Sequence, residues 1–221
     1  MKKAVVLLSG GLDSATTLWL ARKNHETHCL VFDYAQRHSR EISTAKKIAA
    51  LSGSACRIVK LRLPETADSL TSRNKPLPLD RRASEIGKHI PSTYVPARNI
   101  IFLSFALSYA EVLRAQAIFI GANAVDFSGY PDCTPAFLGA FRRVMKTGVK
   151  PATAARLKLM APLLYKTKKQ IVLAAKRLGV PIELTWSCYG GGKKPCGRCD
   201  SCIIRKKAFR EAGMKDPAQP S

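Results

Sequence analysis

The sequence holds no apolar run near the roughly 18 residues that a membrane span requires. It has no internal repeat and no low-complexity segment. Acidic side chains are scarce, 15 against 37 Lys and Arg, so the net charge is +22. The excess runs along the chain: residues 1–110 carry 17 basic and 8 acidic side chains, and residues 111–221 carry 20 and 7. No basic run is interleaved with aromatics, the pattern of proteins that stack single-stranded nucleic acid. The charge is therefore read first as solvated faces, with a nucleic-acid or other polyanion surface as the alternative. The opening MKKAVVLL starts like a signal peptide, but its apolar run stops at Ser9, Gly10 and Gly11. It is read as a first strand, in a cytoplasmic protein with no membrane partner.

What is present is an alternation of strand-like and helix-like stretches. Strands are expected at Ala4–Leu8, Thr27–Tyr34, Ala55–Leu61, Ala117–Ala122 and Leu157–Met160. Helices are expected at Leu12–Lys23, Ser39–Ser52, Pro96–Leu113, Pro135–Thr147 and Lys166–Leu178, the last stopped by Gly179. Residues 62–95 hold four of the thirteen prolines and no sustained period, and read as a long loop, functional or mobile. Residues 100–113 are apolar around most of a helix, which suits a central helix or a subunit contact. The alternation predicts an α/β fold: a doubly wound parallel sheet of about five strands, with ligands at the carboxyl ends of the strands. The main domain is expected over residues 1–185, with a cysteine segment and C-terminal helix or tail at 186–221 packed on it.

The first strand runs into Ser9-Gly10-Gly11-Leu12-Asp13-Ser14. A glycine turn feeding a helix N-terminus offers free N–H groups and the positive end of the helix dipole, which together suit a phosphate. The lysine that a Walker loop sends to the β- and γ-phosphates is missing. Asp13 is a candidate Mg²⁺ ligand; its plainer role is a carboxylate opposing the helix dipole.

Of seven cysteines, four fall in SCYGGGKKPCGRCDSC, as Cys188, Cys196, Cys199 and Cys202. Four thiolates at this spacing predict a closed structural Zn²⁺ site. An iron–sulfur cluster, or a redox or sulfur-transfer pair at Cys196 and Cys199, are the alternatives. Cys29 and Cys56 read as inert core residues, and Cys133 stays open.

The Ser-Gly-Gly-Leu-Asp-Ser loop resembles that of the ATP pyrophosphatase family, adenine nucleotide alpha hydrolase-like proteins that split ATP between the α- and β-phosphates. FDYAQRHSRE (32–41), YVPARNIIFLSFA (94–106) and GANAVDFSGYPDCTPAF (121–137), taken with the loop and the cysteines, resemble the 7-cyano-7-deazaguanine synthase family over nearly the whole chain. The resemblance implies a ligase of queuosine-precursor biosynthesis. Its substrates would be ATP, ammonia and 7-carboxy-7-deazaguanine, and it would act through an adenylated carboxylate and an amide. It also implies Mg²⁺ and Zn²⁺ as cofactors and a homodimer. The alternatives are a tRNA-modifying pyrophosphate-loop enzyme that adenylates a base before sulfur or amine transfer, and a zinc-ribbon nucleic-acid binding module. Matching positions assign ATP to Leu8, Ser9, Gly10, Gly11, Leu12, Asp13, Ser14, Ala15, Thr16, Thr17 and Leu18. Asp13, Arg98 and Asn99 are the catalytic candidates. Arg37 and His38 follow the second strand and are substrate candidates. Phe127 and Tyr130 are candidates to stack on the base, with core or loop packing as the alternative, and Asp126 or Asp132 to accept its N1–H and amino edge, with capping of a turn as the alternative for either.

Overall fold

The computed structural model describes residues 1–37, 39–64, 68–72, 74–125 and 129–218. Five strands form one sheet: β1 (Lys2–Leu7), β2 (His25–Asp33), β3 (Ala55–Lys60), β4 (Ala117–Phe119) and β5 (Lys158–Met160). Every pairing is parallel and the order is β3-β2-β1-β4-β5. The helices are α1 (Leu12–Ala21), α2 (Arg40–Leu51), α3 (Arg98–Val112), α4 (Pro135–Thr147), α5 (Pro151–Arg156), α6 (Lys168–Leu178) and α7 (Asp200–Glu211).

A parallel sheet covered on both faces needs apolar side chains at consecutive positions. In β1, Ala4 and Val6 pack on one face and Val5 and Leu7 on the other; in β2, Cys29 and Val31 oppose Leu30 and Phe32. The first face is covered by α1, α2, α6 and α7 through residues such as Leu18, Ile48, Ile171 and Phe209. The second is covered by α3 and α4 through Leu103, Ala106, Leu138 and Phe141. The chain winds outward from β1 in both directions, so the β1/β4 boundary is the switch point where a ligand crevice opens.

β3 is an edge strand, which corrects the expectation for Cys56: it is exposed, whereas Cys29 on β2 is buried and burial pushes its thiol up to about 12. β4 was expected to reach Ala122 but ends at Phe119. The reason lies at Gly121, where a Cβ would sit 3.1 Å from the Ser14 nitrogen and 3.2 Å from the Asp13 carbonyl carbon. The chain there crosses the N-terminus of α1 and leaves the ladder. Helix α5 has Pro151 in its first turn and no apolar period, so the sequence offered little to find it. Helix α6 has a full capping box between Thr167 and Gln170 and ends at Gly179 with φ +70.

Helix α7 contributes Ala208 and Phe209 to the core. Its Arg205 is 5% exposed and donates to both oxygens of Asp216, at 2.7 and 3.0 Å, and to Thr185 Oγ1 at 2.8 Å. The Arg205–Asp216 pair thus ties α7 to both the chain before the cysteines and the C-terminal turn. Among the described residues no helix is long and apolar enough to cross a membrane.

Candidate active site

Gly10 takes φ +83, a conformation that glycine reaches without strain. It is also pressed under α2: a Cβ there would lie 2.6 Å from the Glu41 carbonyl oxygen and 3.0 Å from the Ala45 nitrogen. The loop braces itself through Ser14, whose Oγ accepts the Ser9 N–H at 3.1 Å and donates to the Gly11 carbonyl at 3.1 Å. The Gly10 carbonyl accepts the Trp186 N–H at 3.0 Å, which joins the loop to the cysteine segment. The first-turn N–H groups of α1 have no intrahelical acceptor and form the positive end of the helix dipole.

The lysine missing from the loop arrives from α6. Lys168 Nζ lies 2.5 Å from Asp13 Oδ2, and Asn123 Nδ2 approaches the same oxygen at 3.4 Å. Asp13 Oδ1 is buried and has no partner among the described residues. A cation and a carboxylate oxygen thus flank the helix N-terminus.

Two cavities, of about 270 and 250 Å³, open on this loop. The first is bounded by Leu7, Leu8, Val31 and Phe32 at the ends of β1 and β2 and by Gly121 after β4. The second is bounded by Gly11, Leu12 and Lys168 on one side and by Pro91, Trp186, Asp200 and Ile204 on the other. Ser9, Asp13, Glu41, Arg98, Tyr130 and Tyr189 line both, so two ligands of similar size could meet at these six residues. Arg98 Nη1 donates to Tyr34 Oη at 3.2 Å, which aims the guanidinium at this junction. Burial pushes the Glu41 carboxyl up to about 7, against the pull of Arg98 and with the field of Cys188 adding to the rise.

The four sulfurs of Cys188, Cys196, Cys199 and Cys202 lie within 4.8 Å of one another, as ligands of a single ion must. The backbone N–H groups of Gly190 and Cys196 both donate to Cys188 Sγ at 3.2 Å, which favours the thiolate that a metal binds. Cys188, Cys199 and Cys202 are fully buried, and Cys196 is exposed. The cluster has no position facing either cavity; it anchors Trp186 and Tyr189, which do. Arg40 stacks 4.5 Å over the Trp186 ring and donates to the Gly192 and Lys193 carbonyls. The long loop closes the far side, with Arg81 Nη1 3.0 Å from Asp200 Oδ2.

The candidates from the sequence divide as follows. Leu8, Ser9, Gly11, Leu12, Asp13 and Ser14 line a cavity, and Gly10 shapes the turn. Ala15, Thr16, Thr17 and Leu18 are fully buried inside α1 and line neither cavity. Arg37 lines the first cavity while holding the long loop, donating to the Ser72 and Lys75 carbonyls at 3.3 and 2.7 Å. Asn99 lines it too, with its side-chain amide 3.0 Å from Cys133 Sγ. Tyr130 lines both cavities and its Oη is 2.9 Å from Thr93 Oγ1. Of the two readings for Asp132 the structure favours capping: it lines neither cavity, and its Oδ2 accepts the Asn99 N–H at 2.9 Å at the N-terminus of α3. His38, Asp126 and Phe127 lie outside the described residues.

Lys168, Glu41 and Tyr189 were missed. Lys168 sits in KTKKQ, where nothing local marks one lysine from its neighbours, and its partner is 155 positions away.

Glu41 offers a test of this electrostatic picture. Its folded pKa lies above the ordinary 4.5, so the ligand-free fold keeps a proton that the unfolded chain releases. Stability from this group is full below pH 4.5 and falls as pH rises through about 7. Glu41→Gln should therefore raise the melting temperature more at pH 8 than at pH 4.5, by up to about 3 kcal/mol in unfolding free energy. An equal effect at both pH values would contradict the shift.

Comparison with known proteins bears on what this site serves. The family model described as "Queuosine biosynthesis protein QueC" matches residues 3–213. The chain is 49% identical over 219 residues to "7-cyano-7-deazaguanine synthase" of Trichodesmium erythraeum, covering 97% of this chain and 99% of that one. It is 47% identical over 219 residues to the protein of the same name in Thermoplasma acidophilum, covering 99% and 92%. Among solved structures, an NMN synthetase from Francisella tularensis superposes with a TM-score of 0.51 at 13% identity, covering 97% of this chain and 78% of that one; this is a likeness of fold alone. With both the loop and the cysteine centre inside a match that spans nearly the whole sequence, the chain belongs to the queuosine biosynthesis protein QueC family.

Proposed function

We propose that this protein converts 7-carboxy-7-deazaguanine to 7-cyano-7-deazaguanine with ATP and ammonia. Besides family membership, the observation that carries the reading is the pair of cavities joined beside a phosphate-binding loop. The apolar ends of β1 and β2 suit an adenine ring. The first-turn N–H groups of α1 and Lys168 suit the β- and γ-phosphates, which leaves the α-phosphate at the junction and the deazaguanine in the second cavity.

A substrate carboxylate oxygen attacks the α-phosphorus, the bond to the β-phosphate breaks, and pyrophosphate leaves along the helix N-terminus. The adenylated carboxyl now has a good leaving group. Ammonia adds at the carbonyl carbon, AMP departs with the C–O bond, and one proton is lost to give the amide. A second activation of the amide oxygen, followed by loss of AMP and both N–H protons, leaves the nitrile. Arg98 is suited to the charge that develops on the α-phosphate. Glu41, near neutral in its affinity for protons, is suited to accept those released at the junction. Asp13, with its unpartnered oxygen, would hold Mg²⁺, which neutralises the leaving pyrophosphate. Tyr130 and Tyr189 are suited to flank the planar base. Zn²⁺ on the four cysteines would be structural and would fix Tyr189 and Trp186 in the cavity wall. Exposed Ile100, Phe105 and Val112 on α3 support a homodimer. A cytoplasmic location suits seven cysteines with no disulfide among them and an ATP supply.

Incubation with ATP, ammonium and 7-carboxy-7-deazaguanine should yield the nitrile and AMP by mass spectrometry. No nitrile, or AMP release that depends on tRNA instead, would overturn the reading. Lys168→Ala should lower kcat/KM for ATP by about 10- to 100-fold, the 1.5–3 kcal/mol of a hydrogen bond to a charged group. An unchanged value would remove Lys168 from phosphate binding. Metal analysis of protein purified without chelator should give one zinc per chain; less than half an equivalent would contradict the structural site.

A further inference from the structure

From Cys133 to Ile182 the chain carries eleven Lys and Arg and no Asp or Glu, so these 50 residues hold half of the net charge of +22. Helices α1, α2, α3 and α7 each contain an acidic residue; α4, α5 and α6 contain none. Six of the cations gather along one edge of the sheet. Arg142, Arg143 and Lys146 stand on α4, Lys150 precedes α5, Arg156 ends it, and Lys158 lies on the edge strand β5. The elements are tied together, since Arg142 Nε and Nη2 both donate to the Leu159 carbonyl at 3.3 Å. All six but Arg156 are exposed. Among the described residues none of the six side-chain cations is within 4.0 Å of a carboxylate, although Glu111 Oε1 accepts the Lys150 backbone N–H at 3.0 Å. Arg142 and Lys146 repel at i,i+4, as do Arg143 and Lys146 at i,i+3, each at a cost of a few tenths of a kcal/mol (about 0.2–0.5). A fold that gathers six like charges on elements with no carboxylate of their own is ready for an external polyanion.

We propose that this β5 edge is a binding site for the phosphate backbone of double-helical nucleic acid. Single strands are held by exposed aromatic platforms, and the exposed large apolar side chains of α4, α5 and β5 are Val144 and Met160, neither aromatic. A membrane surface calls for an apolar face to bury, and the apolar residues of α4, Leu138, Phe141 and Met145, are spent on the core. The 13 residues of α4 span about 20 Å, over which a double helix presents about twelve phosphates.

The test is fluorescence anisotropy with a labelled RNA duplex, beside anionic phosphatidylserine vesicles, at about 50 to 200 mM salt. The log affinity should fall against log salt with a slope of about −4.5 to −5.4 for five or six phosphate contacts. The triple variant Arg143→Glu, Lys146→Glu, Lys150→Glu should weaken duplex binding by about 30-fold or more and make the slope shallower by about 3. A matched reversal on the opposite edge, Lys46→Glu, Lys47→Glu, Lys60→Glu, should change affinity far less. Nitrile formation should be unaltered in both. The proposal is overturned by equal losses in the two triples, by no duplex binding at low salt, by binding to vesicles alone, or by a fall in kcat/KM for ATP as the only effect of the first triple.

Discussion

An anion can rest on the first turn of α1 only if its N–H groups stay free, so the bonds that hold the loop backbone in shape must come from elsewhere. Ser14 takes the Ser9 N–H and the Gly11 carbonyl, and the Trp186 N–H takes the Gly10 carbonyl. Steric fit then holds the loop from both sides. Gly10 lies against the backbone of α2 with no room for a side chain, and Gly121 lies against the backbone of residues 13 and 14, where a Cβ would fit only tightly. The switch point of the sheet supplies the opening between them. The loop is thus a rigid part built from four separated stretches of chain, and the donors are set before the ligand arrives.

That dependence explains why a cysteine centre remote from the chemistry belongs to this enzyme. Trp186 and Tyr189 bracket Cys188; one touches the loop backbone and the other lines both cavities. A metal that fixes Cys188 would therefore fix this wall of the two cavities. The Arg205–Asp216 pair does the same for α7, whose Asp200 and Ile204 complete that wall. The cysteine anchor reaches the phosphate loop as well, through the Trp186 N–H on the Gly10 carbonyl, whereas the Arg205–Asp216 pair bears on the second cavity.

Much of this was legible in the residues. The apolar runs at β1 and β2, the Gly179 stop and the cysteine spacing each act through neighbours in sequence, where periodicity and turn chemistry operate. The misses have a shared cause. Lys168 reaches Asp13, Glu41 reaches the junction and Asp132 reaches the N-terminus of α3 across long stretches of chain, and no local pattern encodes such pairings. Cys56 looked like core because β3 is apolar in part, but only the strand order reveals it as an edge. The charge told a similar story: counted in halves it looks even, and only the fold draws six cations of the acid-free stretch to a single edge.

The central claim is chemical: an oxygen of the substrate carboxylate becomes bonded to the α-phosphorus of ATP at the junction of the cavities. Isotope transfer tests it directly. With 7-carboxy-7-deazaguanine labelled with ¹⁸O in its carboxyl group, turnover should place the label in the phosphate of AMP. Label found in inorganic phosphate, with ADP as the nucleotide product, would contradict the account.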